Sequence, residues 1–308
     1  QTEQANGNKR YALYAGVASL LTVTLLIAVK GFAYLESGAV SILASLTDSF
    51  IDAAASLINF LAIRYSLKPA DAEHRYGHGK VEGLAALFQA AFIAGAGVFL
   101  LLESLSRFTR PEQTEQGMMV IGIMLFSIVL SFILIMVQRF SLRHAPSLAV
   151  ESEKAHYSGD IAMNGGVIVV LLILSYGGPQ WVDPAFSIMV AFYLGYTAWG
   201  IAMKGVDMLL DRELPDEVRA QILETIRRHP QVRGVHDLRT RQSGMDIHIV
   251  FDLEIDPDKS LRDAHAIALA VERQILGLFP NAEIMIHTDP AGVPHVDSRH
   301  AISGAHDK

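Results

Sequence analysis

The 308-residue sequence contains no cysteine, and charged residues make up only 19% of it. The absence of cysteine excludes disulfides, thiolate metal sites and cysteine nucleophiles, so any metal must be held by nitrogen and oxygen ligands. Soluble domains carry about 25% charged residues, whereas this chain is 51% hydrophobic and has a net charge of −7. The scarcity of charge argues against a wholly soluble protein, and the acidic balance argues against nucleic acid as a partner.

Long apolar segments fill the first two thirds of the chain and predict a membrane domain over 9–209. A helix needs about 20 apolar residues to cross a bilayer. Six segments meet this requirement, at about 11–35, 41–66, 82–106, 117–138, 148–176 and 184–204. We therefore predict an all-α transmembrane domain of six helices.

Basic residues are unevenly divided between the loops on the two sides of these segments. Eight lie on one side, namely Lys9, Arg10, Arg64, Lys68, Arg75, Lys80, Arg139 and Arg143. Only Arg107 and Arg110 lie on the other side, beside Glu112 and Glu115. Because loops rich in lysine and arginine stay in the cytoplasm, we predict a multi-pass protein of a bacterial inner membrane with both termini in the cytoplasm.

From residue 210 the sequence becomes polar and shows the periodicity of a small soluble domain. Its helical and strand-like segments are, in chain order, 216–229, 235–241, 247–255, 260–277 and 282–287. The order α-β-β-α-β predicts a cytoplasmic α+β domain over 210–291. Residues 292–308 have no periodicity, so we predict a disordered tail there.

Acidic residues in the middle of two predicted spans give the clearest functional signal. Asp48 and Asp52 lie four residues apart on one face of the second span, and His156 and Asp160 do so in the fifth. A carboxylate at the centre of a membrane helix costs roughly 2.5–3.5 kcal/mol, so these groups should bind a cation or protons. One imidazole and three carboxylates suit tetrahedral Zn²⁺, while Cd²⁺, Fe²⁺, Co²⁺ and Mn²⁺ stay open. The alternative is a set of polar contacts that only holds the helices together. Glu151 and Glu153 precede the pair in the fifth span, and we expect them to lie on a solvated extension of that helix.

Two further groups of potential ligands lie outside the spans. The loop after the second span contains Asp71, His74 and His78, whose spacing of three and four residues lets one tight loop bring them to one ion. Eight of the 12 histidines follow residue 209. The candidates in the soluble domain are His236, His248, Asp252, His265, His287 and Asp289. Either group can instead be an ordinary solvated surface, where most histidines that bind nothing also lie.

This combination of features resembles the cation diffusion facilitator family, in particular its bacterial exporters of zinc, cadmium and iron. The resemblance rests on the two ligand pairs, the loop from His74 to His78, the six spans and the α+β tail, and covers about residues 10–290. It implies a homodimeric metal/H⁺ antiporter, rather than an enzyme, that works in the lipid bilayer with divalent cations and protons as its partners. It implies no organic cofactor.

The resemblance also implies roles for individual residues. It implies a transport site at Asp48, Asp52, His156 and Asp160, in which His156 and Asp52 couple metal to protons. It implies a second site at Asp71, His74 and His78. It implies a binuclear site for structural or regulatory Zn²⁺ in the soluble domain, at His236, Asp252, His265, His287 and Asp289. The family often has histidine where Asp252 stands, which makes His248 a further candidate. Lys80 and Asp211 are candidates for an ion pair between protomers.

The function predicted from the sequence is proton-coupled efflux of divalent transition-metal cations, Zn²⁺ foremost, from cytoplasm to periplasm by alternating access. Two other functions stay open: a membrane-anchored metal sensor, and a passive metal channel, which would bind ions weakly at several sites. An intramembrane metalloprotease would need an H-E-x-x-H motif, and the chain contains no His-Glu pair.

Overall fold

A computed structural model of the protein describes residues 2–38, 40–109 and 118–292. These residues form two compact units, of which the first comprises those up to Asp211 together with Ser243–Met245 and the second comprises Arg212–Gln242 and the described residues from Asp246 onward. Arg110, Glu112, Glu115 and the predicted tail from residue 293 onward lie outside the described residues, as does the side chain of Arg107.

Six long helices make up the first unit. They are α1 (Thr2–Ser37), α2 (Val40–Ser66), α3 (Val81–Thr109), α4 (Met118–His144), α5 (Leu148–Ser175) and α6 (Val182–Leu209). Among the described residues, each of these helices contains a stretch long and apolar enough to cross a membrane. The predicted all-α, six-helix membrane fold is therefore confirmed.

Small residues allow α3 and α6 to pack closely. A methyl group added at Gly205 would lie 2.9 Å from the carbonyl oxygen of Gly83, and one added at Gly83 would lie 3.2 Å from the carbonyl oxygen of Gly205. Buried alanines, including Ala86, Ala90 and Ala198, continue this contact along the two helices. Such pairs of small residues are typical of membrane helices, which associate through close backbone approach rather than through exclusion of water.

A buried carboxylate fixes the start of α5 relative to α2 and α3. Glu82, at the start of α3, is fully buried. It accepts hydrogen bonds from Ser147 Oγ at 2.8 Å and from Ser66 Oγ at 3.1 Å. Ser147 is also the N-cap of α5, because its Oγ accepts the backbone N–H of Val150. The helix that carries His156 is thereby anchored at its beginning.

The second unit is an α+β domain with a three-stranded sheet. Its elements are α7 (Asp216–Arg227), β1 (Val232–Ser243), β2 (Asp246–Ile255), α8 (Leu261–Leu278) and β3 (Ala282–Pro290). The strand order is β1-β2-β3, and β2 and β3 run parallel. The order α-β-β-α-β is therefore as predicted.

Alternation along β2 separates the two faces of this sheet. Ile249, Phe251 and Leu253 are fully buried and form one core with the apolar residues of α7 and α8. Successive side chains of a strand point to opposite faces. The even-numbered residues of β2, which include the predicted ligand Asp252, therefore lie on the face away from the helices.

Candidate metal centres

The predicted transport site is built from α2 and α5. His156 Nε2 lies 3.0 Å from Asp52 Oδ1 and 3.7 Å from Asp160 Oδ2. All three side chains are partly buried, and they offer ligand atoms within 4.8 Å of one another. This geometry lets one ion contact all three residues. The two helices meet here because Asn59 Nδ2 of α2 donates to the carbonyl oxygen of Ala149 in α5 at 2.9 Å.

The fourth predicted ligand, Asp48, is not part of this close group. It lies one turn before Asp52 on the same helix and is exposed in the single chain. Three of the four predicted residues are thus brought together in the structure. The role of Asp48 as a ligand stays a prediction.

Lys30 in α1 is a buried charge near this site that sequence reasoning missed. Only 8% of the residue is exposed. Its Nζ donates to Ser49 Oγ at 2.7 Å and to the carbonyl oxygen of Ser45 at 3.1 Å, both in α2. A signal was available in the sequence, because a lysine inside an apolar span is as costly as an aspartate and needs a partner for the same reason.

Glu153, one turn before His156, is buried although the sequence predicts that it is solvated. The sequence predicts that Glu151 and Glu153 both lie on a solvated start of α5. Glu151 does pair with Lys204 at 2.6 Å in an exposed position, whereas Glu153 is buried and accepts a hydrogen bond from Ser19 Oγ at 2.8 Å. The prediction for Glu153 is wrong because α5 turns that residue towards α1, and periodicity alone does not specify which neighbour a helix face meets.

All three residues of the predicted loop site come together. Asp71 Oδ1 accepts the backbone N–H groups of His74 at 2.7 Å and Glu73 at 3.0 Å, which closes the loop in an Asx-type turn. Asp71 Oδ2 lies 3.3 Å from Nε2 of the buried His78, and Asp71 Oδ1 lies 3.4 Å from His74 Nδ1. The hydrogen bond from the His74 backbone holds the pKa of Asp71 below its ordinary value. A carboxylate that is ionised at neutral pH therefore faces two imidazoles.

The outer face of the sheet gathers part of the predicted cytoplasmic site. His236 lies 3.6 Å from both Asp252 and Asp289, and ligand atoms of the three residues are mutually close. Pairing of β2 with β3 sets Glu254 opposite Asp289. Glu254 Oε1 also lies 3.6 Å from His236 Nε2, which makes it a further neighbour of this group that the sequence analysis missed. The signal was its position two residues after Asp252, on the same strand face.

The other predicted residues of this domain are placed differently. His287 contacts only the edge of the group, through Asp289 at 3.0 Å, and is exposed. His248 is buried and pairs with Glu283 at 3.1 Å. It lies about 13 Å along the strand from Asp252, so the structure sets Asp252, rather than His248, beside His236. His265 is exposed on α8, which covers the opposite face of the sheet, so this single chain does not bring it to the group.

Lys80 and Asp211 form an ion pair within one chain. Lys80 Nζ lies 3.0 Å from Asp211 Oδ1 and 3.3 Å from the carbonyl oxygen of Leu209. The two residues meet because Lys80 directly precedes α3, Asp211 closely follows α6, and these two helices pack along each other. A pairing between protomers stays a prediction.

Comparison with known proteins identifies the family. The family profile described as the cation efflux transmembrane domain matches residues 16–210, and the one described as the cation efflux protein cytoplasmic domain matches residues 214–291. The chain belongs to the cation diffusion facilitator family of cation-efflux proteins. The family predicted from the sequence is therefore confirmed, and with it a multi-pass membrane transporter rather than an enzyme.

Individual relatives extend over nearly the whole chain. The chain is 41% identical to the cation-efflux pump FieF of Shewanella oneidensis, over 95% of this chain and 98% of that protein. It is 42% identical to the FieF protein of Cronobacter sakazakii, over 91% of this chain and 93% of that one. Among solved structures, it is similar to the metal-bound C-terminal domain of the CzcD transporter from Thermotoga maritima. That likeness has 28% identity and a TM-score of 0.25, and it covers 26% of this chain and 93% of that domain.

Proposed function

We propose that this protein exports divalent transition-metal cations, Zn²⁺ foremost, from the cytoplasm to the periplasm in exchange for protons. The observation that carries the proposal is the group of Asp52, His156 and Asp160 inside two apolar helices of a cation-efflux protein. Ionisable residues inside membrane spans are rare, and most of them mark ion or proton pathways. The proposal places the protein in a bacterial inner membrane with both termini in the cytoplasm.

The ligand set favours zinc or cadmium over manganese. Imidazole suits zinc, whereas sites made only of oxygen ligands suit manganese and magnesium. In the proposed loaded state, Asp48 joins the three residues and completes a four-ligand tetrahedral site. Iron is also a cargo of this proposal, since mixed imidazole and carboxylate ligands accept Fe²⁺.

Competition for the same ligand atoms couples metal to protons. A carboxylate or imidazole must lose its proton before it binds metal, so metal uptake releases protons. We assign this exchange to Asp52 and His156, which lie 3.0 Å apart. An acidic periplasm then favours metal release from an outward-facing site, and a tenfold proton gradient contributes about 1.4 kcal/mol per proton. Binding must differ between the inward and outward states for this to drive export, which is alternating access.

We propose a structural or regulatory role for the metal groups outside the membrane. The loop group and the His236 group both lie in polar, partly exposed surroundings. Zn²⁺ bound there stabilises the folded domain by mass action. In this proposal the protein works as a homodimer, and occupancy of the His236 group tightens the association of the two soluble domains.

The test is metal flux in proteoliposomes with an imposed pH gradient. Wild-type protein is compared with Asp52→Ala and with Glu36→Ala, which removes an exposed carboxylate at the end of α1. We expect zinc flux that follows the gradient, is lost in Asp52→Ala and persists in Glu36→Ala. Flux that ignores the gradient would indicate a channel or uniporter. Tight zinc binding without flux would indicate a sensor.

A further inference from the structure

The ammonium group of Lys30 is fixed to the helix that carries half of the proposed transport site. Its two hydrogen-bond acceptors, Ser45 and Ser49, lie one turn apart on α2. The two acidic residues of that helix, Asp48 and Asp52, each follow one of these serines by three residues. Lys30 is therefore held by neutral oxygen atoms on the acidic helix itself, and it does not depend on a metal for its position.

Three carboxylates belong to the same part of the membrane unit as this ammonium group. Asp48 and Asp52 lie on the helix that holds Lys30, and Asp160 is linked to Asp52 through His156. Only 8% of the lysine is exposed, so bulk water contributes little to its solvation. A buried charge persists only when it is paired and hydrogen-bonded. The two serine oxygens supply the hydrogen bonds, and the carboxylates supply the opposite charge.

The charges of these groups match a divalent ion. Three ionised carboxylates and one ammonium group leave two net negative charges, and a histidine that binds metal is neutral. One ion of charge two brings the cluster to neutrality. Without the lysine, a divalent ion would leave one net negative charge in a region of low dielectric, and a trivalent ion would be the neutral match.

We propose that Lys30 is a built-in counter-ion of the transport site, which matches the site to ions of charge two and limits how tightly they bind. This inference rests on the function proposed above. Because the ammonium is tethered through α1, it cannot leave with the cargo, and it repels each bound metal ion. Lys30 is thus a positioning and specificity residue that touches no metal.

The rival explanation is that Lys30 merely ties α1 to α2. Its hydrogen bonds to Ser45 and Ser49 would serve that purpose equally well. Two substitutions separate charge from tethering. Lys30→Gln removes the charge and keeps a hydrogen-bond donor, whereas Ser49→Ala keeps the charge and removes the shorter of the two hydrogen bonds. Lys30→Arg keeps both properties and serves as the conservative control.

The experiment measures binding of Zn²⁺ and Tb³⁺ to the full-length protein in a neutral detergent at fixed pH. All variants carry His74→Ala and His236→Ala, which disrupt the other two ligand groups. Lys30→Gln should bind Zn²⁺ at least about tenfold more tightly, as expected for loss of one nearby repelling charge. Because coulombic energy scales with ionic charge, the logarithmic gain for Tb³⁺ should be about 1.5 times that for Zn²⁺. Lys30→Arg and Ser49→Ala should bind both ions like the parent.

The outcomes decide between the two explanations. Equal gains in affinity for the two ions in Lys30→Gln, or no gain, would overturn the counter-ion proposal. A Ser49→Ala variant that binds both ions as Lys30→Gln does would also overturn it. If Lys30→Gln does not fold, Lys30→Met, which removes the same charge and suits an apolar span, takes its place: a larger gain in affinity for Tb³⁺ than for Zn²⁺ would support the inference, and equal gains or none would overturn it. Asp160→Asn in the same background tests the proposed transport site separately. If this variant still binds Zn²⁺ tightly, the assignment of the transport site is wrong.

Discussion

Two groups of ligands in this protein have the same composition and different surroundings. Each consists of one histidine and two aspartates, namely Asp52, His156 and Asp160 in the membrane helices, and His236, Asp252 and Asp289 on the sheet. The first group joins two helices that are held together by side chains, for example by the hydrogen bond from Asn59 to the carbonyl oxygen of Ala149. The second joins neighbouring strands, whose relative position is fixed by a ladder of backbone hydrogen bonds. The group on the helices therefore suits the opening and closing that the proposed transport cycle requires, and the group on the sheet is the more rigid of the two.

The charges next to the two groups also differ. The buried lysine Lys30 is hydrogen-bonded to α2, the helix that carries Asp52 of the membrane group. The additional carboxylate of Glu254 lies 3.6 Å from His236 of the sheet group. A nearby cation weakens metal binding and a nearby anion strengthens it. The difference in neighbouring charge predicts weaker metal binding at the first group than at the second.

Matched substitutions in the two groups should have the most unequal effects. We expect Asp160→Asn to abolish zinc transport, because an amide is a weak ligand and carries no charge for the ion to balance. Asp289→Asn should leave transport measurable while removing zinc from the sheet group. Flux in proteoliposomes and metal content by mass spectrometry measure the two effects. Equal loss of transport in both variants would show that the sheet group is part of the pathway.

Glu82 is a buried acid that belongs to none of the three ligand groups. Its substitution tests whether every buried charge of the membrane unit takes part in metal binding. Glu82→Ala should destabilise the protein by about 1–3 kcal/mol, because the buried Ser147 hydroxyl loses its acceptor, whereas Ser66 keeps the carbonyl oxygen of Ile63. Thermal unfolding in detergent measures the change. The control is Glu151→Ala, whose exposed pair with Lys204 should contribute at most about 1 kcal/mol. A stable Glu82→Ala variant that fails to transport would instead place Glu82 in the pathway.

The extra carboxylate of the sheet group should have a moderate effect. Glu254→Gln should weaken zinc binding at this group by about tenfold, the lower end of the range for residues that support metal ligands. Glu283→Gln is the matched control, since Glu283 contacts His248 on the same face and lies outside the group. Calorimetry on protein that carries Asp160→Asn isolates this group from the membrane site. Equal affinities of the two variants would remove Glu254 from the site.

We expect the smallest effect at the loop group, in the pH dependence of its zinc binding. Donation from the His74 backbone lowers the pKa of Asp71 in the folded state. The ionised form therefore contributes stability above the unfolded pKa of about 3.9, and this contribution is lost only as the pH falls through the lower folded value. Loss of zinc from the loop group between pH 8 and 5 should therefore not arise from protonation of Asp71. Asp71→Asn should lower zinc affinity throughout this pH range, and unchanged affinity would remove Asp71 from the site.

Much of the fold was predictable because its signals are local. Apolar length predicts the membrane helices, and alternation along Ile249, Phe251 and Leu253 predicts a strand with one buried face. Spacing also predicts the loop group, since Asp71, His74 and His78 lie within eight residues of one another. These features depend on a few neighbouring residues, so that no knowledge of distant contacts is needed to find them.

The membership of the larger groups was less predictable because it depends on which elements meet. The sequence identifies His248 and Asp252 as equal candidates on one strand face, and only the position of His236 on β1 selects Asp252. It equally presents Glu151 and Glu153 as similar acids, and only the contact of α5 with α1 buries Glu153 beside Ser19.

The sequence by itself determined the six apolar helices, the α+β order and the residue types available to bind metal, because helix and strand periodicity and the cost of charge in a membrane are properties of short segments. The tertiary structure alone decided that Lys30 lies on the acidic helix, that Glu254 joins His236 and that Lys80 pairs with Asp211. Each of these contacts joins residues that are distant along the chain or lie on different elements, and only the relative placement of those elements brings their charges within a few ångströms.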